Sequence, residues 1–147
     1  MDYAAFERLV REKQQLILDS GIREFSAFSY SDANTDRITA ACGISKGLLY
    51  HYFGTKKGFY LYCLERSLKT LADYTQTTQD GDFYTVLFTE MEQKMRLCAD
   101  HPGETRFINF VSRESAAQVT AEKNKLLKQY IVFPHFIAAY FYCKVGR

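Results

Sequence analysis

The candidate functional side chains lie in residues 34–57, NTDRITAACGISKGLLYHYFGTKK. From Arg37 to Lys57 this stretch holds four Lys or Arg and no carboxylate. A lysine that neutralises a nucleic-acid phosphate releases a counterion, so binding weakens with salt at a slope of about −0.9 per contact. Lys46 and Lys56 are therefore the candidate phosphate contacts, the alternative being ordinary solvated lysines.

Two short helices joined by a tight turn are predicted for the same residues. Asn34 and Thr35 can cap the first helix, because their side-chain oxygens accept from backbone N–H groups that have no partner inside the helix. Ile38 and Cys42 repeat at helical spacing and give that helix an apolar face. Gly43 permits the left-handed backbone that ends a helix.

The second helix, SKGLLYHYF, begins after a predicted N-cap at Ser45, and its Leu49 and Phe53 fall on one side at i, i+4. Its other faces carry Lys46, Gly47, Tyr50 and His51. A cationic patch on two helices and a tight turn is the arrangement that places a recognition helix in the DNA major groove. The stretch therefore predicts a helix-turn-helix that binds DNA.

Further contacts are expected from the first turns of this recognition helix. Gly47 lets the backbone approach the bases, and Leu48 can meet a thymine methyl group unless it is a core leucine. Tyr50 and Tyr52 can donate hydroxyl groups to phosphate while their rings pack. His51 either contacts DNA or is a surface histidine.

Thr35 and Ser45 lie at the predicted N-termini of the two helices. Backbone N–H groups and the helix dipole favour a phosphate oxygen at such a position. Plain capping without a ligand explains the same two residues equally well, and both readings stay open.

The stretch ITAACGISKGLLYHYFGTKKGF resembles the signature of the TetR-like bacterial transcriptional regulators. Upstream, ILDSGIREF is similar to the first helix of that family. Thr39 and Cys42 depart from it, standing where alanine is usual, and the resemblance covers about the first third of the chain. The matching positions are Ile38, Gly43, Ser45, Gly47, Leu49, Tyr50, Tyr52, Phe53 and Lys56, with Ile44 a conservative match.

This resemblance implies an all-α protein with a three-helix DNA-binding head in residues 1–54 and a helical effector-binding and dimerisation body in residues 55–147. It also implies a homodimer that places two recognition helices in successive major grooves of a palindromic operator, about 34 Å apart. A small apolar effector bound in the body would move the linking helix near residues 56–78 and release the repressor from double-stranded DNA.

Helical patterning extends over most of the chain. A first helix is expected over residues 3–26, with Gly21 marking the close approach of a neighbouring helix. Thr55 is the predicted N-cap of a long helix that follows the recognition helix. The inner side of that long helix is expected to carry Phe59, Tyr62, Cys63, Arg66 and Leu68.

Aromatic and methionine side chains in residues 83–110 are candidates for lining an apolar effector pocket. Ordinary helix-bundle core is the alternative for each of them. The candidate residues are Phe83, Phe88, Met91, Met95, Phe107 and Phe110.

Composition argues against several other functions. The net charge of +2 is too small to indicate nucleic-acid binding by itself, so only the local patch supports it. The four cysteines lack C-x-x-C spacing, which predicts no zinc site and free thiols in a reducing cytoplasm. The three histidines lack carboxylate partners and metal-ligand spacing, so we expect no enzyme, metal or cofactor. We also expect no signal peptide or membrane span.

The C-terminal end is unusual, because YIVFPHFIAAYFYCKVGR is mostly apolar and the body is short for the resembling family. An artificially shortened chain, a frameshifted reading frame and a naturally short variant all fit. Two other functions stay open: an interaction protein that does not bind DNA, and a truncated product that keeps the head but dimerises poorly.

Overall fold

A computed structural model describes residues 3–74 and 82–130 of the 147-residue chain. Within these ranges the secondary structure is entirely helical, which confirms the all-α prediction. The apolar C-terminal segment 131–147 and the end of the predicted linking helix, residues 75–78, lie outside the described residues. The helices are α1 (Ala4–Glu7), α2 (Arg11–Ala27), α3 (Thr35–Cys42), α4 (Lys46–Phe53), α5 (Lys56–Tyr74), α6 (Phe83–Asp100), α7 (Pro102–Val111) and α8 (Ala117–Tyr130).

The helix is interrupted between α1 and α2, so the prediction of one helix over residues 3–26 is wrong. Val10 is extended, with φ −60° and ψ 145°. The Gln14 side-chain amide donates to the carbonyls of Glu7 (3.0 Å) and Leu9 (2.7 Å), which satisfies acceptors that a continuous helix would have used. The break lets α1 fold back and bury Phe6, whose ring centroid lies 4.8 Å from that of Phe53.

Gly21 is where α2 meets α5. A Cβ atom at this position would lie 2.5 Å from Cζ of Phe59 and 3.0 Å from Sγ of Cys63, so no side chain fits without displacing α5. The predicted close approach is confirmed. The cost of a glycine inside a helix, about 1 kcal/mol relative to alanine, is offset by the tighter packing of two helices.

An aromatic cluster joins the first helices to α5 and α7. The Phe53 and Phe59 ring centroids are 4.6 Å apart, and Tyr60 packs edge-on against Phe25 (5.0 Å) and Phe107 (5.7 Å). Edge-to-face pairs of this kind contribute about 0.5–1.5 kcal/mol each beyond the burial of their area. The helix-turn-helix therefore sits on a common core with the helices that follow it.

The buried side of α5 is wider than predicted, and Arg66 is exposed rather than on the inner side. Thr55 caps this helix as predicted, since its hydroxyl accepts from the Gly58 N–H at 3.0 Å. None of the described helices is long and apolar enough to cross a membrane. The predicted boundary between a head ending at residue 54 and a body stays a prediction. The buried residues of α5 are Gly58, Phe59, Tyr60, Tyr62, Cys63, Leu64, Ser67, Leu68 and Leu71.

Candidate nucleic-acid interface

The turn between α3 and α4 has the predicted local chemistry. Asn34 is the N-cap of α3, and its side chain accepts from the Asp36 N–H at 2.7 Å. Gly43 adopts φ 64° and ψ 39°, the left-handed conformation in which glycine meets no steric cost. The Ile44 N–H then donates to the Thr39 carbonyl at 3.2 Å, which closes the end of α3.

The orientation of α4 follows from its two apolar anchors. Leu49 and Phe53 are fully buried, as their spacing predicts. Ser45 caps α4 by accepting from the Leu48 N–H at 3.1 Å. The Leu48 side chain is 36% exposed, so it is not a core leucine. The exposed residues of α4 and its N-cap are Ser45, Lys46, Gly47, Leu48 and His51.

The other candidate contacts on α3 and α4 have partners within the protein. Thr35 is only 6% exposed, and its hydroxyl lies 3.3 Å from the Tyr50 hydroxyl, which ties the two helices together. The Tyr52 ring packs edge-on against Phe6 and Phe53 and is half-buried. A DNA contact by any of these three side chains stays a prediction.

Arg37 forms an ion pair with Glu24, which lies outside residues 34–57. Glu24, buried on α2, accepts from Arg37 Nε at 2.9 Å and from the Asn34 N–H at 2.7 Å. Burial of Glu24 acts to raise the pKa of its carboxyl, but the hydrogen bonds from Arg37 and Asn34 outweigh it, and the pKa is lowered. Glu24 therefore stays ionised and fixes the start of α3 on α2.

Lys46 forms an exposed ion pair across the turn. Its Nζ lies 3.0 Å from the Asp36 carboxylate, and this hydrogen bond raises the pKa of Lys46. Exposed pairs of this kind contribute little to stability, so Lys46 can exchange Asp36 for another anion. Lys57 is similarly paired, at 2.6 Å, with Glu122 of α8.

Lys56 is held over the connector between α2 and α3. Its Nζ donates to the Ser31 carbonyl at 3.3 Å and lies 4.9 Å from the centre of the Tyr30 ring. Desolvation lowers the pKa of Lys56. With Arg37, Lys46 and Lys57 all paired to carboxylates, the run of four basic residues overstates the positive charge of this surface. Sequence reasoning missed the partner carboxylates because they lie outside residues 37–57.

The six residues proposed for an effector pocket are divided between α6, which carries Phe83, Phe88, Met91 and Met95, and α7, which carries Phe107 and Phe110. Phe83 (73% exposed), Phe88 (66%) and Met95 (72%) lie on the outer face of α6. Phe107 is buried against Phe25 and Tyr60 instead, in the core of the bundle. Met91 and Phe110 are half-buried. Residues 3–74 and 82–130 also hold no group of three His, Cys, Asp or Glu that could bind a metal ion.

Comparison with known families agrees with this geometry. Residues 17–63, which run from α2 into α5, match the family model described as bacterial regulatory proteins, tetR family. Residues 17–63 are therefore similar to the tetR family, as the signature predicts.

Individual relatives agree at lower similarity. The chain is 28% identical to the nucleoid occlusion factor SlmA of Haemophilus ducreyi over 105 residues, covering 69% of this chain and 52% of that protein. SlmA of Actinobacillus pleuropneumoniae serotype 5b matches at 28% over 109 residues, again covering 52% of its length. The chain thus spans about half the length of the curated relatives it matches.

Solved structures share the fold. A TetR family transcriptional regulator from Chloroflexus aurantiacus is 21% identical with a TM-score of 0.66, covering 93% of this chain and 73% of that chain. The fatty acid degradation regulator FadR from Bacillus halodurans is 19% identical with a TM-score of 0.63, covering 79% and 63%. A tetR-family regulator from Streptomyces coelicolor is 22% identical with a TM-score of 0.61, covering 89% and 59%.

Proposed function

We propose that this protein is a DNA-binding transcriptional regulator that inserts α4 into the major groove. The observation that carries the proposal is the two-sided character of α4: Leu49 and Phe53 anchor it in the core, and its first turn is exposed. A helix held in this way presents Lys46, Gly47 and Leu48 outward on a rigid support. The match of residues 17–63 to the tetR family supports the same function.

Each exposed group has a chemical role in this proposal. Lys46 exchanges the exposed Asp36 carboxylate for a DNA phosphate, and the N-terminus of α4 at Ser45 adds backbone N–H donors to the same strand. Gly47 permits close approach of the backbone, and Leu48 contacts a thymine methyl group. His51, one turn further on, reaches the groove edge.

The finer features follow from the family resemblance. A homodimer binds a palindromic operator as a cytoplasmic repressor, and an apolar effector in the body lowers its affinity for DNA. A coupling free energy of about 1–3 kcal/mol between effector and DNA is enough for such a switch. Of the six predicted pocket residues only Phe107 is buried, and it packs against Tyr60 in the core of the bundle.

The test is selection of sequences from random duplex DNA at two salt concentrations. Wild-type protein is expected to enrich a palindrome. Lys46→Ala should weaken binding to it and reduce the salt slope by about one, as expected for a lost phosphate contact. Lys69→Ala is the matched control, because Lys69 also forms an exposed pair with a carboxylate, Glu65 at 3.0 Å, but on α5. It should leave both quantities unchanged.

Absence of enrichment at low salt would overturn the DNA-binding proposal. An interaction protein that does not bind DNA would then explain the chain better. Equal losses of DNA affinity in the Lys46 and Lys69 variants would show that binding is diffuse electrostatic attraction. In that case α4 would not be the helix that contacts the bases.

The names of the curated relatives favour a second candidate, a DNA-bound protein that acts in nucleoid occlusion. Both functions would use the same exposed residues of α4 to bind DNA. Mapping the occupied sites on the chromosome separates them, since a local regulator occupies promoters and an occlusion factor occupies sites distributed over the nucleoid.

A further inference from the structure

Helix α6 is far less covered than the other long helices. Leu97 is the only buried residue among its 18 positions, whereas α5 buries nine of 19. Its main contacts within the described residues are with α5 and α7. Large apolar side chains remain exposed along it. A contiguous exposed apolar patch on a protein surface often marks a place that another segment or molecule covers.

These apolar residues form one continuous stripe. With about 100° of rotation per residue, they fall within an arc of about 140° along the whole length of α6. The buried Leu97 lies about 40° beyond the edge of this arc, next to Phe83, so most of the stripe points away from the buried side of α6. The stripe consists of Phe83, Tyr84, Leu87, Phe88, Met91 and Met95.

The chain leaves α8 near the end of α5 that α6 also contacts. Tyr130, the last residue of α8, packs against the core. The pKa of Lys69 on α5 is raised by its hydrogen bond with Glu65 and further by the Tyr130 phenol, which indicates that this phenol is near the second half of α5. The C-terminal end of α6 lies at the end of the same helix, where the Tyr74 hydroxyl donates to Asp100 at 2.8 Å.

The 17 residues after Tyr130, IVFPHFIAAYFYCKVGR, have the chemistry that the stripe requires. Twelve of them are apolar or aromatic, and the first Lys or Arg is Lys144. A helical segment of this length would span about 25 Å, close to the roughly 27 Å of α6, and an extended one would span more. Segment and stripe therefore match in length and in polarity.

We propose that residues 131–147 dock on the apolar stripe of α6 in the same chain. Docking within one chain needs no second molecule, because the segment follows directly on α8, which packs against the same helix α5 that contacts α6. The proposal does not depend on DNA binding.

The absence of tryptophan from the sequence provides a direct test. A single tryptophan is introduced in the full chain at Phe133 or, separately, at Phe141, so that its fluorescence reports the surroundings of the segment. In the folded protein each reporter should emit at shorter wavelength than in urea. Phe88→Glu or Met95→Glu should shift this emission towards the value in urea, since each places a charge on the stripe.

Thr89→Glu is the matched control, because it adds the same charge to α6 about 120° around the helix from Met95. It should leave the emission unchanged. Both stripe residues are exposed, so the variants should retain the helical circular dichroism of the parent. Emission at the wavelength seen in urea for both reporters in the folded protein, or emission that α6 substitutions leave unchanged, would overturn the proposal.

Covering of the stripe by a second copy of the chain is the competing outcome. In that case the short-wavelength emission would disappear on dilution, in step with the dissociation of a dimer measured by light scattering. Emission that is independent of concentration, together with the effect of the stripe variants, supports docking within the chain.

Discussion

Gly47 and Gly21 are both helical glycines, but their surroundings differ. A Cβ atom at Gly47 would meet nothing closer than the Ser45 hydroxyl at 3.9 Å, whereas one at Gly21 would meet Phe59 at 2.5 Å. Alanine is therefore sterically possible at the first position and not at the second. Packing therefore accounts for the glycine at position 21 but not for the glycine at position 47.

Gly47→Ala is expected to stabilise the protein by up to about 0.5–1 kcal/mol, because alanine loses less backbone entropy in a helix. The same change should lower affinity for the selected operator about tenfold or more, since the added methyl group lies between the backbone of α4 and the bases. Thermal unfolding and fluorescence anisotropy measure the two effects. Unchanged affinity would contradict close backbone approach.

Gly21→Ala is expected to destabilise the protein by about 1–3 kcal/mol, the usual cost of overpacking a core. Urea unfolding measures this loss. The double variant Gly21→Ala/Phe59→Leu is the control, because the smaller side chain at position 59 makes room for the methyl group. The two changes should then cost less together than the sum of the single changes, and strict additivity would exclude the clash as the cause.

Glu24 makes stability depend on pH. Its pKa is lower in the folded than in the unfolded protein, so its contribution is present above the unfolded value of about 4.3 and is lost as pH falls through the folded value. Glu24→Gln should cost about 1–3 kcal/mol at neutral pH, because the Arg37 and Asn34 donors lose a charged acceptor. Urea unfolding between neutral and strongly acidic pH should show the difference from wild type shrinking as the pH falls. A constant difference would exclude ionisation of Glu24 as its origin.

At the scale of elements, Glu114 joins two connectors that are far apart in the sequence. Its carboxylate accepts from the Tyr30 N–H at 2.6 Å, between α2 and α3, and from the Ala116 N–H at 2.8 Å, between α7 and α8. The buried Lys123 donates to the Glu114 carbonyl and holds this corner in place. These contacts connect the corner between α7 and α8 to the connector that leads into the helix-turn-helix.

Glu114→Gln is expected to loosen this link, because the two N–H groups use different carboxylate oxygens and the amide replaces one of these acceptors with an NH2 donor. Amide hydrogen exchange at Tyr30 should accelerate about tenfold, which corresponds to about 1.4 kcal/mol, and operator affinity should fall. Glu122→Gln is the control, since it removes only the exposed pair with Lys57. Exchange at Tyr30 that is the same in both variants would show that the link does not hold the connector.

At the scale of the whole molecule, α4 has eight residues and is about 12 Å long, so one copy can read only one half-site. High-affinity binding by two copies requires half-sites on one side of the duplex, about one helical turn apart. Inserting about five base pairs at the centre of the selected palindrome should abolish most of the affinity, because it rotates one half-site to the opposite side. Changing the same number of central base pairs without insertion is the control. Affinity that survives the insertion would indicate that single heads bind independently.

The sequence alone predicted α3 and α4, because the interactions that define these helices are local. The caps at Asn34 and Ser45, the left-handed Gly43 and the inward pair Leu49 and Phe53 all depend on residues within about four positions of one another. The pattern and its spacing carry this information, and the structure confirms each of these features. The role of Gly21 was also predictable, because an internal helical glycine is costly unless close packing offsets it.

Only the tertiary structure showed which basic side chains are paired with carboxylates and which apolar side chains are buried. The partners of Arg37, Lys46 and Lys57 come from Glu24, Asp36 and Glu122, and the hydrogen bond between Tyr30 and Glu114 spans 84 positions. The pattern of Phe83, Phe88 and Met95 is the same for a pocket, a core or an exposed stripe. A periodic pattern defines a face of a helix, but what lies against that face depends on the packing of elements distant in the sequence.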